Sequence, residues 1–176
     1  MFRFSLWAVL VVSCGCSGSK FDPEQARARL IEQVGQIRKA VLEKDHELMA
    51  RLTHPGLVAA AGGKAKYVQL LNKATTEVEG QGFRLVDATM AEPTPIVERA
   101  SGHYALVPYS LSLSGPGGEK GEKPSCFIAV STDRGLNWVF LDGEGVAGDR
   151  ARLLRMMPDF PPEIKLPPVQ RAKWKQ

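Results

Sequence analysis

The amino-acid sequence predicts an α+β domain in which N-terminal helices pack on a curved antiparallel sheet of four to five strands. Apolar residues recur at helical spacing from Leu30 to Val78, and beyond Gly80 the period changes to that of strands. Because the helices come first and the strands follow, the elements are segregated, which is typical of the α+β class. The 176 residues are 44% hydrophobic and 24% charged, which is enough to bury a core without disulfides or metals.

The N-terminus has the pattern of a lipoprotein signal. A short basic start, "MFR", precedes a nine-residue apolar run from Phe4 to Val12 that is interrupted only by Ser5. This run is too short to cross a bilayer, which needs about 20 residues, and it matches the apolar region of a secretory signal. The following "VVSC" resembles the bacterial lipobox, in which the cysteine, here Cys14, is acylated and becomes the new N-terminus. Cys16 is the weaker alternative, and an ordinary cleaved signal is another.

This interpretation divides the chain into four segments. We expect a signal peptide at residues 1–13, a flexible tether at 14–21, a folded domain at 22–158 and a proline-rich extended tail at 159–176. One alternative for the tail is that it folds back over the sheet and closes or occupies a cavity. The expected location is the bacterial cell envelope, on its periplasmic or outer-surface side, with the protein exported and anchored by lipid.

Three helices are predicted before the strands. The first runs from about 23 to 44, with Asp22 as its N-cap and Pro23 in its first helical position. The second, "DHELMARL", is capped by Asp45 and broken by "THPG", and the third follows a Gly-Gly pair in "GGKAKYVQLLNKATTEV". The apolar stripe of the first helix comprises Leu30, Val34, Ile37 and Val41.

The strands follow in four sequence segments. "FRLVDATM" predicts one strand, and "PIVERASGHYALVPYSLSL" predicts a hairpin whose turn lies near Ser101 and Gly102. Pro108 has no N–H to donate to a ladder, so it indicates an edge or a bulge. "SCFIAVS" and "WVFLD" are the last two strands, and a short helix capped by Asp149 ends at Pro158.

The order of these elements is similar to that of the nuclear transport factor 2-like superfamily, which includes SnoaL-like and ketosteroid isomerase-like domains. The segments "LEKDHELMARLTHPG" and "GGKAKYVQLL" resemble the helical entry of such domains, and the similarity covers residues 21–142. It implies a bent sheet that wraps a cone-shaped pocket. The catalytic acids and tyrosines of the enzymes in this superfamily have no matching positions here. The resemblance therefore implies a shape and no activity.

The segment "STDRGLNW", from Ser131 to Trp138, resembles the Asp-box of sialidases and related β-propellers. In that motif Ser and Asp side chains bond the turn, Gly permits a positive φ, and Trp packs beneath. A propeller needs four or more blades, and a chain of 176 residues with one copy cannot supply them. We therefore predict a structural turn between the last two strands, with Trp138 in the core and no action on sugars.

The histidines and cysteines predict neither a metal site nor a cofactor. His46, His54 and His103 fall on different elements, and no HExxH, HxH or Cys-x-x-Cys spacing occurs. Cys126 with His103 as base would be a candidate nucleophile. A position in the middle of an apolar strand is more typical of an inert buried thiol, so we favour that interpretation.

Asp87 is the most unusual polar residue of the strand region. It shares strand parity with Leu85, so on an inward face it would place a carboxylate in the pocket, where desolvation would raise its pKa. Tyr67, Tyr109 and Trp138 are the other candidates for lining that pocket. The alternative, which we favour, is that Asp87 lies at a twist or bulge and faces water.

Two functions are compatible with these observations. The first is non-catalytic binding of a small apolar ligand or an envelope protein by a lipid-anchored domain. The second is an isomerase, cyclase or hydrolase type of enzyme with Asp87 as general base. The net charge of +4 is dispersed, which disfavours nucleic acid as a partner. The expected partners are the membrane, through the lipid anchor, and the ligand or protein, with a homodimer through the sheet as a further option.

We expect Cys14→Ser to release the protein from the membrane fraction into the soluble fraction, because the substitution removes the sulfur that receives the lipid. Fractionation of cells that express the wild type, Cys14→Ser or Cys16→Ser measures this directly. Retention of Cys14→Ser in the membrane together with release of Cys16→Ser would assign the anchor to Cys16 instead.

Overall fold

The computed structural model describes residues 21–175, so the predicted signal peptide and both candidate lipidation sites, Cys14 and Cys16, lie outside the described residues. Within that range no helix is long and apolar enough to cross a membrane. The helices are α1 (Pro23–Glu43), α2 (His46–Leu52), α3 (Pro55–Ala60), α4 (Lys64–Gly80) and α5 (Arg150–Met156). The strands are β1 (Arg84–Met90), β2 (Val97–Arg99), β3 (Gly102–Ser114), β4 (Lys120–Ser131), β5 (Val139–Asp142) and β6 (Lys173–Lys175).

The fold is α+β, with helices packed against one open antiparallel sheet of six strands. The long hairpin β3–β4 forms its centre. Two short strands, β1 and β2, share the outer edge of β3, and two others, β5 and β6, share the outer edge of β4. The sequence predicted at most five strands, and the strand it missed is β6. This strand belongs to the C-terminal segment, whose prolines predict an extended chain but not its pairing with the sheet.

Each face of the sheet carries its own hydrophobic core. Alternate residues of each strand point to opposite faces of the sheet. Those on one face, such as Val107 and Phe140, pack against α1. Those on the other face, such as Ile128 and Leu141, pack against α5 and the segment that follows it. The second core includes Phe160 and Ile164, so the extended C-terminal segment covers the sheet face opposite the helices. The fully buried or nearly buried members from α1 are Ala26, Leu30, Val34, Ile37 and Ala40.

The helix boundaries follow the capping residues. The Asp22 side chain accepts hydrogen bonds from the N–H groups of Glu24 and Gln25, which confirms its prediction as the N-cap of α1. The sequence interpretation missed α3, because "THPG" was taken only as a break. Pro55 occupies a first-turn position of this helix, and His54 caps it by accepting a hydrogen bond from the N–H of Gly56 at 3.1 Å.

Pro108 lies inside the central strand β3, and its missing N–H does not interrupt the ladder with β4. Its carbonyl accepts from the N–H of Ala91, so its nitrogen faces the same edge of the strand. That edge is interrupted between β1 and β2, at residues 91–96, where no strand pairs with β3. The missing donor therefore lies just beyond the end of β1, outside the regular strand pairing on this edge.

The turn at Ser131–Trp138 docks the sheet on α1. Asp133 accepts hydrogen bonds from the Ser131 hydroxyl at 2.8 Å and from the N–H of Asn137 at 2.9 Å. Gly135 has a φ of 80°, and a Cβ at this position would lie 2.2 Å from the Cβ of Ala26. The indole N–H of Trp138 reaches the carbonyl of Ala26 at 3.2 Å, and the side chain is 1% exposed. The motif is thus a structural element within the core.

We expect Trp138→Ala to lower the free energy of unfolding by about 3–5 kcal/mol, the range for removal of a large buried aromatic side chain. Urea unfolding followed by circular dichroism measures this loss. The matched control is Trp174→Ala, which removes the same side chain from a position that is 42% exposed and should cost much less. Equal losses in the two variants would contradict the structural role of Trp138.

Candidate functional site

A cavity of about 250 Å³ lies between the helices and the helix-facing side of the sheet, and we call it the helix–sheet cavity. Its lining is mostly apolar and aromatic, as is typical of small-molecule sites. The helices and their connections contribute Ile37, Val41, Met49, Thr53, Leu57, Tyr67 and Leu71. The sheet contributes Met90, Tyr109, Leu111, Phe127, Phe140 and Asp142. Both layers of the fold therefore shape one space.

Of the four residues predicted to line a pocket, two lie in this cavity. Tyr67 comes from α4 and Tyr109 from β3, and the fold brings them together across the cavity. Trp138 lies in the core beneath the turn, where it fills space instead of lining it. Asp87 lies on β1 and does not line the helix–sheet cavity.

Asp87 lies at a β-bulge, where the register of β1 against β3 shifts between Leu85 and Asp87. Its carboxylate forms an ion pair with Arg38 at 2.9 Å, and 47% of its side chain is exposed. Arg38 also donates to the carbonyl of Ala88, so its guanidinium covers the free edge of this strand. The bulge therefore turns the carboxylate towards solvent and Arg38, which is the arrangement favoured from the sequence.

The polar end of the helix–sheet cavity is built around Asp142. Its Oδ1 accepts hydrogen bonds from the Tyr109 hydroxyl at 3.3 Å, the Ser125 hydroxyl at 3.5 Å and the N–H of Glu144 at 3.1 Å. Among residues 21–175, no group donates a hydrogen bond to its Oδ2. Of the lining residues, all within the described part of the chain, only Asp142 is exposed. Its second oxygen can therefore accept a hydrogen bond from a ligand.

The electrostatics of this cluster follow from partial desolvation. Desolvation raises the pKa of Asp142. The hydrogen bond from the N–H of Glu144 lowers this pKa, but the effect of desolvation is larger. Burial and then the negative charge of Asp142 raise the pKa of Tyr109, and the same two causes raise the pKa of Cys126 to about 11. Tyr109 and Cys126 are therefore protonated at neutral pH, so Tyr109 donates its hydroxyl proton and Cys126 is not a thiolate.

Cys126 and His103 do not form a nucleophile–base pair. Cys126 lies opposite Pro108, whereas His103 lies opposite Ser131, five positions further along β4, or about 16 Å at the rise of a strand. His103 instead stacks on Phe21, with the ring centroids 4.1 Å apart. The structure thus gives no geometric support for catalysis by this pair.

The other two histidines have structural partners. His46 is hydrogen-bonded to the side chains of Asn72 and Thr75, and His54 caps α3, with a pKa lowered by burial. Within residues 21–175, no cluster of three or more histidine, cysteine or acidic side chains could hold a metal ion.

The C-terminal segment lines a different cavity, of about 350 Å³, that extends over the opposite face of the sheet. Pro167, Pro168 and Val169 from this segment contribute to its lining, together with Leu106 and Pro108 of β3. Tyr109 lines both spaces. The segment does fold back over the sheet, but it is not part of the lining of the helix–sheet cavity.

Sequence reasoning missed Asp142, although a signal for it was present. Phe140 and Asp142 of β5 alternate with Trp138, which directly precedes the strand, so all three are on the helix-facing side of the sheet. The aspartate was taken as the end of the strand "WVFLD" and was not followed to that face. Its partner Tyr109 was found because it belongs to a longer alternating run.

Comparison with known proteins gave no relative: no protein-family model, no curated protein and no solved structure matches the chain. The site is therefore interpreted from its own geometry.

We expect Asp142→Asn to be more stable than the wild type at neutral pH, with a difference that disappears in acid. Because the folded-state pKa of Asp142 is raised, ionisation of this carboxyl costs more in the folded chain than in the unfolded chain. The wild type therefore loses stability as the pH rises from the ordinary pKa of 3.8 through the raised one. Urea unfolding of both proteins at several pH values measures the difference.

Asp133→Asn is the matched control, and the sign of its effect should be opposite. Desolvation raises the pKa of Asp133, but the hydrogen bonds from Asn137 and Ser131 outweigh it and lower the pKa overall. This substitution should destabilise the protein at neutral pH, and the loss should shrink as the pH falls below 3.8 towards the lowered pKa. The same pH dependence in both variants would contradict this description of the Asp142 environment.

Proposed function

We propose that the chain is a lipid-anchored domain of the bacterial cell envelope that binds a small, mainly apolar ligand in the helix–sheet cavity without converting it. The observation that carries this proposal is the cavity itself, which is lined by apolar and aromatic side chains from both layers and has one polar end, at Tyr109 and Asp142. Such a combination is typical of a binding site.

The proposed location depends on the N-terminal sequence. The apolar run from Phe4 to Val12 and the lipobox-like "VVSC" support export and acylation at Cys14, with Cys16 as the alternative. The segment between Cys14 and Phe21, the latter packed against the first core, would then tether the domain to the membrane, and the membrane would be its permanent partner. A further envelope protein and a second copy of the chain, paired through the sheet, are additional partners that we include in this proposal.

We also propose that the domain has the cone-like shape of the nuclear transport factor 2-like superfamily. Two features support this shape: the helices precede the sheet, and the cavity lies between the two layers. The bulge in β1 is a further feature, because bulges bend a strand and increase its twist. In this proposal the bent sheet forms the wall of the cavity and the helices close it.

Binding without turnover is supported by the chemistry of the cavity. Catalysis needs an acid and a base within reach of each other, with pKa values suited to proton transfer. The acid and base that do lie within reach are Tyr109 and Asp142, but burial and the charge of Asp142 raise the pKa of Tyr109, which makes it a poor proton donor. None of the histidines, all of which fall within residues 21–175, lines the cavity. The alternative with Asp87 as general base has no support from its placement, because Asp87 is paired with Arg38 outside this cavity.

We expect 1-hexanol, as a neutral apolar probe, to bind in the cavity and to shift the methyl resonances of Met49 and Met90, which line it. Met156 and Met157 pack in or against the core on the opposite face, so their resonances serve as internal references. Titration of the full-length chain, labelled at its methionine methyl groups and followed by NMR, measures the binding. Saturable shifts at Met156 and Met157 without shifts at Met49 and Met90 would contradict the proposal.

Two variants of α4 test the location further. Leu71→Trp places a larger side chain in the cavity lining and should weaken hexanol binding about tenfold or more, because it removes the space that the probe fills. Leu70→Trp makes the same change at the neighbouring residue, whose side chain is 54% exposed, and should bind like the wild type. Unchanged binding in a folded Leu71→Trp variant would exclude the helix–sheet cavity as the site.

A further inference from the structure

We propose that the helix–sheet cavity selects amphiphilic amines, whose protonated amino group binds the carboxylate of Asp142 while the apolar body fills the cavity. This inference rests on the proposed ligand-binding function and names the ligand class of that site. It follows from the charge, the hydrogen-bonding capacity and the size of the cavity.

The charge of the lining is negative. Asp142 is the only charged side chain among the residues that line the helix–sheet cavity in the described part of the chain, and no lysine or arginine belongs to that lining. Lys123 on the adjoining strand β4 also acts on Asp142, but it is paired with Glu144 at 2.7 Å, and the charge of Glu144 raises the pKa of Asp142 more than the charge of Lys123 lowers it. A ligand carboxylate would therefore meet a net negative charge, whereas an ammonium group would meet its counter-ion.

The hydrogen-bonding capacity of the cluster favours a donor. An ionised carboxylate only accepts hydrogen bonds, and three groups already donate to Oδ1 of Asp142: Tyr109, Ser125 and Glu144. Its Oδ2 has no partner within residues 21–175. An ammonium group has three donors, and a hydrogen bond between two charged groups is shorter and stronger than one between neutral groups.

The aromatic residues of the lining add a second attraction for a cation. Tyr109 stacks on Phe127 with ring centroids 4.4 Å apart, and Phe127 contacts Phe140 edge to face at 5.9 Å. Tyr67 lines the same space from α4. A cation within about 6 Å of an aromatic ring face is attracted by the ring quadrupole, and the attraction increases when the cation is desolvated.

The size of the cavity limits the apolar body. A volume of about 250 Å³ lies just below the usual range of ligand pockets, about 300–1,000 Å³. An unbranched alkyl chain of six carbons, or one aromatic ring with a short side chain, fits this space. Long-chain lipids exceed it.

The experiment compares hexylamine, 1-hexanol and hexanoate, which share one alkyl chain and differ in the head group. At neutral pH we expect hexylamine to bind about tenfold more tightly than hexanol, the lower range for a hydrogen bond to a charged group, and hexanoate to bind most weakly. The methyl resonances of Met49 and Met90 in the full-length chain report the dissociation constants for this cavity.

Asp142→Asn identifies the group that selects the amine. The dissociation constants of this variant for hexylamine and hexanol should lie within about threefold of each other, because the side chain at position 142 loses its charge and keeps its shape. The matched control is Glu122→Gln, which removes one carboxylate from β4 outside the helix–sheet cavity and should keep the preference of the wild type.

Acidification of the wild type gives a second test that needs no variant. Hexylamine stays protonated in acid. The ratio of its affinity to that of hexanol should therefore fall as Asp142 becomes protonated. The charged and titratable groups around this carboxyl are Tyr109, Cys126, Lys123 and Glu144. Glu144 is the other acid among these groups, so Glu144→Gln is the control variant, and it should retain the fall if Asp142 causes it.

The inference would be overturned by hexanoate binding as tightly as hexylamine, by an amine preference that survives Asp142→Asn, or by a preference that is independent of pH. Hexanol binding in the cavity with no gain for hexylamine would leave the proposed function intact and exclude only the amine selectivity. Failure of all three probes to shift the Met49 and Met90 resonances would overturn both proposals.

Discussion

The ladder between β3 and β4 is the interaction on which the rest of the structure depends. It runs without interruption from His103 opposite Ser131 to Ser114 opposite Lys120. The other four strands are short, and each of them pairs with β3 or β4. Both cores also use this hairpin: one core packs on the face of Val107, and the other packs on the face of Ile128. Removing the hairpin would leave no surface on which either the helices or the C-terminal segment could bury apolar groups.

A gap in the strand pairing along the outer edge of β4 explains where the polar end of the helix–sheet cavity lies. Between β5 and β6, no strand pairs with β4, and this interval contains Ser125 and Cys126. Asp142 ends β5 at the start of the interval, so its carboxylate lies near Tyr109 and Ser125. A complete edge strand would have extended the ladder across this place. The gap thus supplies an accessible polar group next to an otherwise apolar cavity.

Local sequence signals predicted the elements that depend on nearby residues. The cap at Asp22, the hairpin turn at Gly102 and the turn at Gly135 are determined by groups a few residues apart, and the sequence analysis located each of them. The strand β6 depends on pairing with Lys120–Glu122, some fifty residues earlier, and no local pattern indicates it. Asp142 was missed for a related reason. The alternation of residues along a strand predicts which side of the sheet a residue faces, but it does not predict that β4 is unpaired beside Asp142.

The second core has a consequence for the order in which the chain can fold. The sheet face of Tyr104 and Ile128 is covered by Leu153, Phe160 and Ile164, which come after every strand of the central hairpin in the sequence. A partial chain that ends before Leu153 would expose this face to water, so the native packing requires contacts between distant parts of the sequence, and such topologies fold slowly. The native packing of this face therefore forms only after the C-terminal segment has reached the sheet, late in the folding of the chain.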